Sequence, residues 1–197
     1  MRNLLTAALL GAALLLPLAG CKDDETTAAP PPPQAITADA IGHYCGMNML
    51  DHPGPKGQII LEGKSTPIWL SSVRDTFAYT MLPEESHEYR AIYVTDLTKA
   101  ADPSRPDLDL WTEARNAWFV VGSGFRGGMG AAEPLPFAEE TAARNFAAAH
   151  GGSVKRFSEV SDDTILASPE ETDDPGEGGE HDGRYDGGHG THSRSMP

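Results

Sequence analysis

The chain has 197 residues, with 29 Asp+Glu against 15 Lys+Arg, 21 Gly, 16 Pro and two Cys. That length suits one modest domain, and a formal charge of −14 argues against a nucleic-acid partner, which calls for a basic stripe. Two cysteines exclude a disulfide scaffold, and the absence of Cys-x-x-Cys-His excludes c-type haem attachment.

Residues 1–20 read as a lipoprotein signal peptide. Arg2 opens it, and the apolar run Leu4 to Leu18 is too short for a retained membrane span. Leu18-Ala19-Gly20-Cys21 resembles a bacterial lipobox, in which the chain is cut before a cysteine that becomes acylated. Several acyl chains anchor stably where one is marginal. An ordinary secretory signal with a chance cysteine is the alternative. Lys22, in place of the Asp that favours inner-membrane retention, points to the outer membrane, with the domain at the periplasmic face. Lipidation of Cys21 would leave Cys45 as the one thiol of the exported domain. In an oxidising compartment such a thiol must be useful or hidden, and a buried structural cysteine is the bland alternative.

Residues 21–41, with Pro30 to Pro33, are expected to form an extended, lipidated tether. The folded unit is expected over 42–160. Gln58 to Glu62 and Thr66 to Leu70 read as paired strands around Gly63-Lys64. Ser72 then caps a helix, with Asp75 as capping-box partner and Val73, Phe77 and Met81 as the buried stripe. Tyr89 to Thr95 is a strand, and Asp102 to Asp109 a Pro/Asp-rich connector between halves. Ala117 to Val121 is a strand and Pro134 to Phe137 an edge strand, since proline cannot donate to a ladder. Glu139 to His150 is a helix stopped by Gly151-Gly152, and Ser153 to Phe157 is a closing strand. The fold class is therefore α+β: two small related strand–strand–helix–strand halves in one domain. Residues 161–197 carry ten acids, two arginines and seven glycines, and are expected to be a disordered acidic tail. Its His181, His189 and His192 could collect divalent metal loosely, although solvated low-complexity chain is the simpler reading.

Tyr44-Cys45-Gly46-Met47-Asn48-Met49 is the sharpest local feature. In an extended segment its three sulfurs share one side, about 6.6 Å apart per two residues, and Gly46 permits a bend that gathers them. Thiolate and thioether are soft donors that select Cu(I) over hard cations. A buried cysteine with two core methionines is the competing explanation. His43 and His52 flank the run, where hydrogen-bonding roles are commoner than ligation. Gly122 to Gly130 contains a nominal Gly-x-Gly-x-x-Gly, but Pro134 and Pro136 deny the helix that a dinucleotide site requires. Met129, between glycines on a flexible loop, could reach a metal as a further thioether or be a bystander.

Cys45-Gly-Met-Asn-Met49 followed by His52-Pro-Gly-Pro-Lys-Gly-Gln-Ile59, together with Gly122 to Gly130 and Pro134-Leu-Pro-Phe137, resembles the NosL family of copper-binding accessory lipoproteins of nitrous oxide reductase. The resemblance runs from about Tyr44 to Phe157 and leaves the acidic tail unmatched. Phe125 stands where Met is more often expected, removing one accessory thioether. The resemblance implies delivery of Cu(I) to the reductase's copper–sulfide centre in the periplasm and docking with its membrane maturation transporter complex. It implies two related α+β halves, similar to part of organomercurial lyase. By position it carries over Cys45 and Met47 as core ligands, Met129 as a third and Met49 as a candidate fourth. A thiol-dependent enzyme using Cys45 as nucleophile is the alternative, though no second thiol or local His–acid pattern accompanies it. A blue-copper carrier would want two His beside Cys and Met.

Overall fold

A computed structural model describes residues 29–167. The signal peptide, Cys21, the first part of the tether and the tail beyond 167 lie outside the described residues. Strands β1 (Gly57–Leu61) and β2 (Ile68–Leu70) pair antiparallel, with Gln58 opposite Trp69. Helix α1 (Val73–Met81) follows, then β3 (Tyr89–Thr95), which pairs antiparallel on the other side of β1. The pattern recurs as β5 (Trp118–Val121), β6 (Leu135–Phe137), α2 (Glu140–His150) and β7 (Ser153–Arg156). Strand order is β2-β1-β3 in the first half and β6-β5-β7 in the second, all antiparallel. The expected duplication is thus present in topology.

Local chemistry explains the elements. Ser72 adopts extended backbone and its hydroxyl accepts from the Asp75 N–H at 2.9 Å, so α1 starts where a side-chain cap exists. The capping box is half-closed, because the Asp75 carboxylate accepts from Ser71 Oγ at 3.1 Å instead. Pro136 sits on edge strand β6, where its missing N–H costs no ladder bond. Gly151 ends α2 at φ +77°, a conformation open to glycine.

One shared core joins the halves. Ile59, Leu70, Val73, Phe77, Ile92 and Val94 pack with Ala117, Phe119, Val121, Val160 and Ile165. Phe77 meets the Phe119 ring edge-on at 4.9 Å and stacks on Phe157 at 4.6 Å. A buried side chain of this size contributes about 1.5–3 kcal/mol relative to exposure. Alternation along β5 sends Val120 to the opposite face, where it packs with Leu135, Phe137 and Ala143.

Three boundaries differ from expectation. The connector does not run directly between halves: Trp111–Glu113 first returns to the first sheet as β4, pairing with β3. Its three half-buried residues are too few for a periodic signal. At the amino end, residues expected in the tether cover the outer face of the first sheet. Gln34 and buried Gln58 exchange hydrogen bonds of 2.8 and 2.9 Å, and the Tyr93 hydroxyl donates to Pro31 O at 2.8 Å. Buried Gln58 and the Tyr93 hydroxyl would otherwise lack these partners. At the carboxyl end, α3 (Asp162–Leu166) packs on α1 through Ile165, 2% exposed, and Arg74 Nη2 donates to Ala167 O at 2.8 Å. The folded unit therefore exceeds 42–160 at both ends.

Candidate metal centre

The Cys45 segment is a closed loop on the edge of the first sheet, and not an extended strand. Ile41 bridges Asn48, the Gly42 N–H donates to Met47 O at 2.9 Å, and the Gly46 N–H donates to Gly42 O at 2.9 Å. Gly46, at φ +65°, makes the bend. The loop docks beside β2, where the His43 N–H donates to Trp69 O at 2.8 Å. Asn48 then accepts from the Leu50 N–H at 2.9 Å and opens a short 3-10 turn, Met49–Asp51.

This closure splits the three sulfurs. Cys45 is half-buried, Met47 is 42% exposed, and Met49 is fully buried against Ala40 and Trp69. Cys45 Sγ and Met49 Sδ nevertheless approach one point. A Cβ built on Gly42 would lie 2.6 Å from the thiol sulfur and 3.6 Å from the thioether sulfur. Gly42, not singled out from sequence, leaves the space the thiol occupies. Its role is proximity across a loop, which no local motif records.

Met129, 56% exposed, rides a hairpin rather than an open loop. Arg126 bridges Ala132, the Gly127 N–H donates to Ala131 O at 2.9 Å, and the Gly130 N–H donates to Gly127 O at 2.9 Å. The hairpin rests on the segment just after Met49: a Cβ on Gly128 would lie 2.8 Å from Pro53 O. Two sulfur-bearing stretches eighty residues apart in sequence are thus brought to neighbouring positions.

Buried charge underlies the site. Lys56, 0% exposed, donates from Nζ to the carbonyls of His52 at 2.7 Å, Pro53 at 3.1 Å and Ser71 at 3.4 Å. Burial pulls its ammonium down to about 8, opposed by attraction to the nearby Glu133 carboxyl and Cys45 sulfur. Glu133 is equally enclosed, and burial pushes its carboxyl up to about 8 against the pull of the Val73 and Arg74 N–H groups and Lys56. Lys56 falls within the family-like run His52 to Ile59 but nothing there marks it as buried, and Glu133 carries no sequence signal because its partner at Val73 lies sixty residues away.

The histidines are engaged differently. His43 Nε2 meets Glu85 Oε1 at 3.0 Å, and the Tyr44 hydroxyl donates to the same oxygen at 2.8 Å. His52 Nε2 is buried without a hydrogen-bond partner among the described residues. Also among the described residues, no three His, Cys, Asp or Glu side chains converge as a metal cluster. The donors to weigh are the sulfurs.

The NosL family model matches residues 33–165. A relative named copper-binding lipoprotein NosL, from Achromobacter cycloclastes, is 43% identical over 176 residues, covering 89% of this chain and 90% of the relative. A second of that name, from Stutzerimonas stutzeri, is 33% identical and covers 94% of this chain and 93% of the relative. The crystal structure of the copper chaperone NosL from Shewanella denitrificans has a TM-score of 0.61 at 34% identity, covering 67% of this chain and 98% of that one. By sequence, order of elements and fold, the chain belongs to the NosL family.

Proposed function

We propose that this protein is a periplasmic Cu(I) metallochaperone, anchored by lipid on Cys21, with no catalytic turnover of its own. The ion is held by the Cys45 thiolate and by the thioethers of Met47 and Met129, with Met49 Sδ on the inner side. The observation that carries this is the approach of Cys45 Sγ and Met49 Sδ to one point over Gly42. One thiolate with thioethers is a soft set that suits Cu(I), and the resulting complex is neutral and tolerates partial burial. The names of the relatives, copper-binding lipoprotein and copper chaperone, support the same cargo.

Exposure of Met47 and Met129 supports hand-over, since an entering donor can reach the ion from solvent. Ile41, Tyr44 and Leu50 are also exposed beside the loop and offer apolar contact to an acceptor. The destination that the family resemblance favours is the copper–sulfide centre of nitrous oxide reductase, reached with its membrane transporter complex. Against a thiol-enzyme reading, Cys45 has no resolving thiol beside it among the described residues.

Anaerobic competition against a Cu(I) chelator tests the site. Wild-type protein is expected to hold one colourless Cu(I), and Cys45→Ala to lose tight binding. Tight binding by the Ala variant would overturn the assignment. Delivery is tested separately, by the copper content of nitrous oxide reductase in a denitrifying host that lacks this chain.

A further inference from the structure

Glu133 lies at the base of the hairpin that carries Met129, and the ligand set does not account for it. It is 3% exposed, and its Oε1 accepts from the Val73 N–H at 2.6 Å across the seam between halves. The Arg74 N–H also favours its ionised form, and the carboxyl sits at the start of α1. Helix α1 already has a side-chain cap in Ser72. Burying an ionisable group is costly even when it is partnered, so capping alone is a poor reason for this residue. The other carboxyl oxygen faces the hairpin: a Cβ on Gly127 would meet Glu133 Oε2 at 2.6 Å. Gly128 is seated on Pro53 O, itself held by Lys56 Nζ at 3.1 Å. Met129 is therefore preceded by two glycines in close contact with polar groups of the framework, the buried Glu133 carboxyl and the Pro53 carbonyl. Asp75 is the further charged group felt by Glu133, and it raises the cost of a second negative charge there.

We propose that Glu133 is a positioning residue that clamps the 125–133 hairpin to the start of α1 and so sets Met129 within reach of the Cys45 loop. The inference rests on the assignment of Met129 as a ligand. Removing the clamp frees the hairpin, and Met129 then has to be ordered at the moment of binding.

The test is a double-mutant cycle on the full chain, read by anaerobic Cu(I) chelator competition. Met129→Leu removes the sulfur and should weaken binding about tenfold. Glu133→Gln and Gly127→Ala should each weaken binding by a similar factor alone, and by less than about twofold in the Met129→Leu background. Gly127→Ala displaces the hairpin without altering a buried charge, and carries the comparison if Glu133→Gln does not fold. Equal losses in both backgrounds would reveal a general structural role and overturn the clamp. So would unchanged affinity in both variants while Met129→Leu binds weakly. A silent Met129→Leu would overturn the ligand assignment, and the clamp with it.

Discussion

Replacing Gly42 by Ala should weaken Cu(I) binding at least as much as it weakens the fold. Gly42 is not among the positive-φ glycines, so alanine meets no backbone strain there. The new Cβ would stand 2.6 Å from Cys45 Sγ and 3.6 Å from Met49 Sδ. Heavy-atom contacts of this kind are optimal near about 3.5–4.0 Å, so the thiol must retreat by about 1 Å. Cysteine can do this by rotating one torsion, which puts its sulfur out of line with Met49. Overpacking of this sort costs about 1–3 kcal/mol, and the loss of glycine's freedom in the unfolded chain returns about 0.4–1 kcal/mol. The net, about 0–2.6 kcal/mol, lowers Tm by up to about 10 °C in a domain of this size. Affinity should fall by about 100-fold, equivalent to about 2.7 kcal/mol, because the displaced group is the one anionic donor. Chelator competition and thermal denaturation of the metal-free protein measure the two effects side by side. Wild-type affinity in the Ala variant would refute the claim that the thiol's seat over Gly42 is the copper site.

Met49→Leu keeps apolar volume in a fully buried position, so stability should change by less than about 1.5 kcal/mol, whereas Cu(I) affinity should fall about tenfold. Unchanged affinity would leave Met49 with packing alone. Ile165→Ala should cost about 2–5 kcal/mol in denaturant unfolding, since Ile165 is 2% exposed in the shared core. A cost near zero would show that α3 does not belong to the cooperative unit. The Glu133 carboxyl rises from 4.5 to about 8 in the folded protein, which therefore keeps a proton that the unfolded chain has released between those values. Its contribution to stability is present below pH 4.5 and is lost as pH rises toward 8. Lys56, pulled from 10.5 to about 8, gives the opposite slope above pH 8. Glu133→Gln should flatten the decline of Tm between pH 4.5 and 8, and an unaltered slope would contradict the assignment.

Periodicity and punctuation made most of the framework legible. The alternation over Gln58 to Leu61, the Ser72 cap and the Gly151 stop act within a few residues, so the sequence carries them openly. The duplicated element order was readable for the same reason. Cys45, Met47 and Met49 were visible as candidate soft donors, because residue type alone marks them as such. Strand β4 and helix α3 were not readable, being three and five residues long and held by pairing and packing with distant elements. Tertiary structure alone decided that Met47 faces solvent while Met49 turns inward, because the Gly42–Met47 closure replaces the two-residue alternation of a strand. It also decided why Gly42, Gly127 and Gly128 lack side chains, and why Lys56 and Glu133 are buried. Each of these depends on an atom supplied by another turn or segment of the chain, and close approach in space has no signature in local spacing.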